Sequence, residues 1–481
     1  MKVPELIFSA ILLLISSGCR EKSRQYDKLL VQIETQFRAG NFNRMNVLAD
    51  SLLTTYPDKK YLTIKTDSLC RIAERIELDF PFTDSNIDQQ LKERMGAFTS
   101  EEKANWEKRN WLEFKIINGE KRYFSRAVTN LDLIQRFHNQ RAQRDSLEAG
   151  DQEMIYRKQH TQSIIKASVS KPEPVLPVNI TINYMITVDP DAVPAGEIVR
   201  CWLPFPKENH PRQQNVRLLS ASHENFIIAP DTAIHRTIYM ESEAEKGLPL
   251  IFNVSFSYQS SGQYFDPALI RNFQYDTTSE LYREYTSEQL PHISFTDNVK
   301  HLADSITGSE NQPFEIVRKI YSWFTGNIPW AGAQEYSIMP DIPGYVIKNR
   351  RGDCGMQTFL FMSMLRYKGI PVKWQSGWKM PPDAKNLHDW CEVYFEGAGW
   401  VPVDISYGLQ YSNDRKTREF YISGIDSYRL IINEGIAGRL YPEKKFLRSE
   451  PFDFQRGEIE WSGGNLYFDK WDYNMEIIYT K

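Results

Sequence analysis

The stretch RGDCGMQTFLFMSMLRYKGIPV (residues 351–372) decides the fold of this 481-residue chain. Its apolar residues recur at helical spacing from Cys354 to Tyr367, and Gly369-Ile370-Pro371 then ends the helix. A thiol at a helix N-terminus lies at the positive end of the backbone dipole, which favours the thiolate and lowers the thiol pKa. The sequence therefore predicts a helix that begins at an activated nucleophile, Cys354.

Two alternating runs follow the helix, HDWCEVYF (388–395) and WVPVD (400–404). Alternation of this kind predicts half-buried strands, with His388 and Asp404 on the face opposite the apolar residues. A hairpin centred near Glu396 sets Asp404 across from His388, close enough to orient the imidazole. A thiol, an imidazole and a carboxylate in this order are the parts of a Cys-His-Asp nucleophilic site.

Each of these residues also has a plainer interpretation. The alternative for Cys354 is a buried structural thiol. The alternative for Asp404 is a residue that only caps the loop into Ser406. Acyl transfer further requires donors for the developing oxyanion. The backbone N–H of Cys354 is the natural first donor, and Trp330 and Gln334 are both candidates for a side-chain donor.

The segment from about Phe314 to Gly408 resembles the transglutaminase-like core, a branch of the papain-like thiol enzymes. The resemblance implies Cys354 as nucleophile, His388 as base and acid, and Asp404 as the group that orients His388. This core occurs in protein cross-linkers, peptidases, amidases and inactive scaffolds, so the resemblance leaves the reaction open. The matching residues are Gly352-Asp353-Cys354-Gly355, Gly369-Ile370-Pro371-Val372, His388-Asp389-Trp390 and Gly399-Trp400-Val401-Pro402-Val403-Asp404.

The N-terminus has the pattern of a targeting segment. Lys2 precedes an apolar run from Leu6 to Ile15, which has the size of a signal-peptide core and is too short to span a bilayer. Ser16-Ser17-Gly18-Cys19 follows and resembles the bacterial lipoprotein box, which implies cleavage before Cys19 and lipidation of its thiol. The alternative is an ordinary secretory signal with an incidental cysteine. We expect a membrane-anchored lipoprotein, periplasmic or at the cell surface.

Composition bounds the remaining possibilities. A net charge of −4 with dispersed basic residues gives no electrostatic footprint for nucleic acid. The leftover cysteines Cys70, Cys201 and Cys391 make no disulfide framework and fit no zinc spacing. We therefore expect buried free thiols, no metal and no cofactor.

The chain is long enough for three or more domains, and the pattern predicts a multidomain α+β protein. Gly40-Asn41-Phe42 separates two helical runs, and Asn118-Gly119 predicts a small β-hairpin among the helices. Residues 171–177 are interpreted as a linker before a strand at 178–188. The predicted parts are a lipoprotein signal peptide (1–19), a mainly helical region (20–165), a β-sandwich module (172–265), a transglutaminase-like core (280–440) and a C-terminal β extension (441–481).

These observations predict an extracytoplasmic thiol enzyme that transfers acyl groups through Cys354, His388 and Asp404. Hydrolysis of a peptide or amide bond is favoured, because water is abundant unless the site excludes it. The expected substrates are a peptide, a protein or a glycan-linked peptide. The alternatives are an amine-transferring cross-linker and a non-catalytic binding or assembly lipoprotein that keeps the fold as a scaffold.

Overall fold

The computed structural model describes residues 25–57, 60–140, 152–168, 172–270, 274–382 and 384–480. It divides into two compact units, residues 1–131 and 132–481. The predicted lipid-bearing residue, Cys19, lies outside the described residues. Within the described ranges no helix has both the length and the apolar character needed to cross a membrane.

The first unit is mainly helical, with apolar faces turned inward and threonine caps at two helix starts. The hydroxyls of Thr83 and Thr99 each accept a hydrogen bond from the backbone N–H three residues on, and the threonine N–H donates to the side chain of that residue, which satisfies helix-terminal donors. Its elements are α1 (25–38), α2 (Phe42–Thr55), α3 (Lys60–Asp79), α4 (Asp84–Met95), α5 (Ser100–Lys108), β1 (Phe114–Ile117) and β2 (Glu120–Tyr123).

The predicted hairpin among these helices is confirmed. Strands β1 and β2 pair antiparallel around Asn118 and Gly119, whose φ angles of 50° and 84° fit a tight two-residue turn. Gly40, between α1 and α2, lies against this hairpin with a φ of 71°. A Cβ atom at Gly40 would lie 2.2 Å from the carbonyl oxygen of Ile116, so only glycine fits there.

Helix α6 (Ala127–Gln140) contains the boundary between the units, and the helices of the second unit lie around its sheets. Thr296 caps α9, and Pro313 occupies the first turn of α10. These helices are α7 (Gln152–Ala167), α8 (Glu280–Tyr285), α9 (Asp297–Thr307), α10 (Pro313–Asn327), α11 (Ile342–Asn349), α12 (Cys354–Tyr367) and α13 (Arg415–Arg418).

The strands of the second unit form three antiparallel sheets. One has the order β12-β8-β3-β16 with β5 beside β8, the second β15-β14-β4-β7-β6, and the third β11-β10-β9-β13. The strands are β3 (Val175–Val188), β4 (Ile198–Pro204), β5 (Gln213–Ala221), β6 (Phe226–Ile228), β7 (Thr237–Glu243), β8 (Leu250–Tyr264), β9 (Val372–Lys379), β10 (Asn386–Phe395), β11 (Gly399–Val403), β12 (Gly424–Ile425), β13 (Arg429–Asn433), β14 (Glu458–Trp461), β15 (Gly464–Leu466) and β16 (Trp471–Thr480).

The first two sheets carry strands from both the predicted β module and the chain's C-terminal segment. Strand β16 pairs with β3 over its whole length, and β14 pairs with β4. One continuous apolar core includes Ile182 and Phe256 of these sheets together with Trp378 and Leu430 of the third sheet. The C-terminal segment is therefore part of the framework that supports the third sheet.

Strand β3 begins earlier than predicted, inside the stretch interpreted as a linker. Val175 already pairs with Gly262, and the register then shifts before Val178. Leu176 takes a left-handed φ of 50°, which creates a bulge. Because the bulge interrupts the alternation of side chains, the sequence pattern does not reveal the first residues of the strand.

Candidate active site

Helix α12 begins at Cys354, as predicted, because Asp353 caps it. The Asp353 carboxylate accepts hydrogen bonds from the Met356 backbone N–H at 2.9 Å and from the Tyr336 hydroxyl at 2.7 Å. Cys354 is 8% exposed. Gly355 has to lack a side chain, since a Cβ atom there would lie 2.1 Å from the Tyr336 hydroxyl. The start of α12 is thus closely packed around the thiol.

The hairpin that follows carries His388 and brings it to Asp404. The strands pair from Cys391↔Val403 to Phe395↔Gly399, so the turn is centred at Gly397, one residue later than predicted. Moving the centre by one residue moves each partner by two, which preserves the face of every side chain. Asp404 therefore lies diagonal to His388 instead of directly opposite, and its Oδ2 still contacts His388 Nε2 at 2.7 Å.

Asp404 lies in a buried network of opposite charges. Its Oδ2 also contacts Arg429 Nη1 at 2.8 Å, while Arg429 Nη2 contacts Asp426 at 2.6 Å. Burial opposes ionisation of Asp404, but the charges of His388 and Arg429 outweigh it and hold the carboxyl pKa well below its usual range. The Ser406 hydroxyl donates to Asp404 Oδ1 at 3.1 Å, so the Asp404 carboxylate contacts both His388 and the loop that follows.

The imidazole of His388 is enclosed by aromatic rings. The Tyr407 ring lies 5.4 Å from it and the Trp390 ring 6.0 Å, both between ring centroids. Burial lowers the pKa of His388, although the Asp404 charge acts in the opposite direction. The resting imidazole is therefore neutral near neutral pH, the form that accepts a proton. With Nε2 bonded to Asp404, Nδ1 is the nitrogen left to exchange a proton with a reacting group.

The thiol of Cys354 contacts a residue that the sequence interpretation left without a role. Cys354 Sγ donates a hydrogen bond to Oδ2 of Asp389 at 3.2 Å, and Asp389 is the neighbour of His388 in β10. Burial raises the pKa of the Cys354 thiol well above its usual range, and the charges of Asp389 and Asp353 raise it further. The prediction of a lowered thiol pKa is therefore wrong, because burial and nearby carboxylates outweigh the helix dipole.

Asp389 is one half of a buried carboxyl pair with Asp453. The two carboxyls lie close enough together that each affects the pKa of the other. Burial raises the pKa of both carboxyls, and the Asp453 charge raises that of Asp389 further. Gln455 Nε2 donates to Asp389 Oδ1 at 2.7 Å, and the Ser376 hydroxyl donates to Asp453 at 2.5 Å. Both of these donors to the pair are uncharged.

The structure thus joins His388 to Asp404 and joins Cys354 to Asp389 beside His388. Cys391 lies on the opposite strand face from His388, as predicted, and donates to the Val403 carbonyl. Arg429, Asp453 and Tyr407 were missed as site residues, because they come from segments after the recognisable motifs. Asp389 was open to detection, since strand alternation puts this carboxylate on the buried apolar face.

Helix α7, to which the sequence interpretation assigned no chemistry, lies near the His388 side of the site. The Arg157 guanidinium stacks over the Tyr407 ring at 4.5 Å, and Thr161 accepts a hydrogen bond from Gln410. A cleft separates α7 from the segment after Asp404, and its lining carries two cationic side chains and no carboxylate. The lining residues are Met154, Ile155, Arg157, Lys158, Tyr407, Leu409, Gln410 and Tyr411.

The segment that precedes the nucleophile carries the two candidate oxyanion donors. Trp330 forms a parallel bridge with Gly352, two residues before Cys354, and its side chain is 40% exposed. Gln334 is buried nearby in sequence. Trp330 therefore runs alongside the loop that delivers Cys354, whereas the side chain of Gln334 is turned inward.

Among the described residues, one cluster has the composition of a cation site. Side-chain atoms of His210, Glu392 and Glu434 lie within 4.8 Å of one another. Arg212 contacts Glu392 at 3.1 Å, and Lys373 contacts the same carboxylate at 2.9 Å. Two cationic side chains already compensate these carboxylates, so the cluster is an ion-pair network and we assign it no metal.

Comparison with known proteins finds the family in the part of the chain that carries the site. Residues 300–405 match the family model of the transglutaminase-like superfamily. The uncharacterized protein YebA of Bacillus subtilis (strain 168) is 24% identical over 139 residues, which are 25% of this chain and 19% of YebA. The chain therefore spans about a fifth of that relative's length.

Two solved structures are similar to this chain at lower sequence identity than YebA. A candidate cysteine protease from Cytophaga hutchinsonii has a TM-score of 0.44 at 14% identity, over 64% of this chain and 91% of that one. The periplasmic domain of TgpA from Pseudomonas aeruginosa has a TM-score of 0.25 at 16% identity, over 50% of this chain and 91% of that one. Both TM-scores lie below 0.5, so neither likeness supports a conclusion about the activity of this chain.

Proposed function

We propose that this protein is an extracytoplasmic thiol hydrolase of transglutaminase-like type, with Cys354 as nucleophile, His388 as general base and acid, and Asp404 as orienting group. The observation that carries the proposal is the buried His388–Asp404 hydrogen bond at 2.7 Å, in the strand whose next residue contacts the Cys354 thiol. The superfamily match over residues 300–405 includes Cys354 and His388 and supports the same assignment.

The raised thiol pKa and the lowered imidazole pKa decide how the first step runs. Both groups are neutral at rest, so the site holds a thiol and an imidazole instead of a preformed ion pair. The Cys354 proton passes to His388 Nδ1 as Sγ forms a bond with the substrate carbonyl carbon. Asp404 stabilises the resulting imidazolium because Arg429 keeps Asp404 ionised beside it, although the Arg429 charge itself opposes protonation of the ring.

The second half of the reaction reuses the same groups. The tetrahedral intermediate collapses, the carbon–nitrogen bond breaks, and His388 donates its proton to the leaving amine. Water then attacks the thioester carbonyl while His388 accepts the water proton, which releases the acid and restores the thiol. The Cys354 backbone N–H is our first oxyanion donor, and Trp330, beside Gly352, is the better placed of the two side-chain candidates.

The proposal includes location and anchoring. Residues 6–19 have the order of a lipoprotein signal, so we propose that the mature chain begins at a lipidated Cys19 outside the cytoplasm. Mass spectrometry of the N-terminal peptide tests this. A diacylglyceryl-modified Cys19 agrees with the proposal, and an unmodified Cys19 in membrane-derived protein contradicts it.

The reaction is tested by exposing a proteome-derived peptide mixture to the wild-type protein and to Cys354→Ala, with dansylcadaverine present as an amine acceptor. New peptide termini or deamidated side chains that depend on Cys354 support hydrolysis. Dansylcadaverine incorporation would instead identify an amine-transferring cross-linker. Identical product profiles for the two proteins would favour the non-catalytic scaffold.

A further inference from the structure

The thiol proposed as nucleophile makes its hydrogen bond to Asp389, not to the proposed base. Cys354 Sγ lies 3.2 Å from Asp389 Oδ2, and both side chains are buried, at 8% and 3% exposure. A Cβ atom at Gly355 would lie 2.7 Å from the same Asp389 oxygen. A glycine after the nucleophile is therefore what lets the carboxyl group approach the thiol so closely.

Asp389 is in turn held in a fixed position from three sides. Gln455 Nε2 donates to Asp389 Oδ1 at 2.7 Å and to the His388 carbonyl at 2.9 Å, so it fixes both neighbours in β10. The Asp453 carboxyl lies beside Asp389, and Asn433 Nδ2 donates to Asp453 at 3.0 Å. These neutral contacts align Asp389 without compensating the negative charge of the carboxyl pair.

We propose that Asp389 is a positioning residue that holds the resting Cys354 as a neutral thiol, and that Asp389 shares a proton with Asp453, which sets how strongly it does so. This inference rests on the proposed nucleophilic role of Cys354. Attack requires Sγ to leave Asp389 and to pass its proton to His388. The device keeps a buried nucleophile in its least reactive form until a substrate carbonyl is present.

The shared proton makes the two carboxyls act in opposite directions. A protonated Asp389 is a weak acceptor for the thiol, and the negative Asp453 beside it keeps it protonated. Without the Asp453 charge, Asp389 ionises more readily and accepts the thiol proton more strongly. Without the Asp389 carboxyl, the thiol loses that acceptor and forms the thiolate more readily.

Other polar groups surround the thiol and the carboxyl pair. They are the same in the wild-type protein and in the Asp389 and Asp453 variants. Asp353 and Tyr336 lie at the start of α12, and His388 lies next to Asp389 in β10. Arg448 Nη2 donates to the backbone carbonyl of Asp453 at 2.5 Å. The groups facing the pair from the packed elements are Asp353, Tyr336, Ser376, His388, Asn433, Arg448 and Gln455.

The test is the rate at which iodoacetamide alkylates Cys354 at pH 7, followed by peptide mass spectrometry in the full chain. Asp389→Asn should label about tenfold faster, because each unit of lowered thiol pKa raises the thiolate fraction about tenfold. Asp453→Asn should label at least about threefold slower. If Asp389 and Asp453 only supported the fold, both substitutions would expose the thiol and both variants would be alkylated faster. The proposal is therefore overturned unless Asp389→Asn is alkylated faster than the wild-type protein and Asp453→Asn more slowly.

The chain has its own controls for folding. Cys201 and Cys391 are both fully buried free thiols, and they stay unlabelled while the fold is intact. If a variant is alkylated at Cys391, its fold is disturbed and its rate is not used. The pH dependence of Cys354 alkylation in the wild-type protein is then the deciding measurement. The proposal expects an apparent pKa for Cys354 above the ordinary thiol value of about 8.5, and a value below about 8 overturns it. Alkylation needs no substrate, so this result is independent of whether hydrolysis is found.

Discussion

His388 and Asp389 are adjacent in β10, yet they belong to two electrostatically opposite sites. On the His388 face, Arg429 lies between Asp404 and Asp426, and both carboxyl pKa values fall below their usual range despite burial. On the Asp389 face, the carboxyls meet amide and hydroxyl donors, and their pKa values rise. A cation in direct contact with the carboxylates, not the depth of burial, distinguishes the charged face from the neutral one.

The comparison assigns the two faces different tasks. The charged face supports an imidazole that has to gain and lose a proton, and the neutral face holds a thiol that has to stay protonated until it reacts. In the proposed mechanism, Cys354 depends on both faces. Substitutions on each face therefore test whether the division is real.

The largest effect is expected at the residue that both faces share. Cys354→Ala should abolish product formation, because no neighbouring side chain can replace the sulfur nucleophile. Cys354→Ser should be almost as poor, since a hydroxyl is far less acidic than a thiol. Product formation per folded protein is the measurement, and Cys391→Ala is the matched control that should keep nearly full activity. Activity that depends on Cys391 instead would refute the site.

Next in size is the charged face. His388→Ala should lower kcat/KM by about 10²–10⁴-fold through loss of proton transfer. Asp404→Ala should lower it less, because Asp404 only orients the imidazole and stabilises its charge. Steady-state kinetics on a product-defined peptide checks the order. An Asp404→Ala variant that is worse than His388→Ala would mean that Asp404 is more than an orienting group.

Arg429→Gln tests the difference between the two faces by its effect on the free energy of unfolding. It leaves Asp404 and Asp426 buried without their shared cation, and breaking a buried ion pair of this kind typically costs about 3–5 kcal/mol. Urea unfolding should show the loss in the free energy of unfolding, with the m-value unchanged. On the neutral face, Asn433→Ala removes the hydrogen bonds of an uncharged side chain to Ser376, Asp453, His235 and the Phe454 carbonyl, and it should cost less because no cation is lost. Equal costs would show that the cation is not what distinguishes the faces.

The smallest effect concerns pH. Burial lowers the pKa of His388, and the base acts only when it is neutral, so activity should be complete above that lowered pKa and lost as pH falls through it. The acid limb of kcat/KM should therefore lie below the ordinary histidine value of about 6.5. A limb above pH 7 would mean that Asp404 outweighs burial and that the resting imidazole is charged.

Much of this site could be predicted from local pattern. The helix at Cys354–Tyr367 follows from its apolar spacing and its terminating glycine, and the faces of His388 and Cys391 follow from strand alternation. The hairpin centre was wrong by one residue because the left-handed turn at Gly397 is a local choice that alternation does not encode. The predicted side-chain faces remained correct, because a register shift of two residues keeps every side chain on the same face of the strand.

The electrostatics of the site could not be predicted from local pattern. The helix dipole at Cys354 is readable from sequence, but it is outweighed by burial and by Asp389. Asp453 and Arg429 come from segments far along the chain, and only the folded sheets bring them to β10. Local sequence therefore predicts which groups form a site, and long-range packing determines their protonation.

The most direct test of the account is whether His388 serves a thiol whose resting contact is Asp389. The measurement is iodoacetamide alkylation of Cys354 at pH 7 in the wild-type protein and in His388→Ala, with Cys201 as the unlabelled folding control. The account predicts that His388→Ala labels at least about tenfold more slowly, because the neutral thiol loses its base. Equal rates in the two proteins would contradict it.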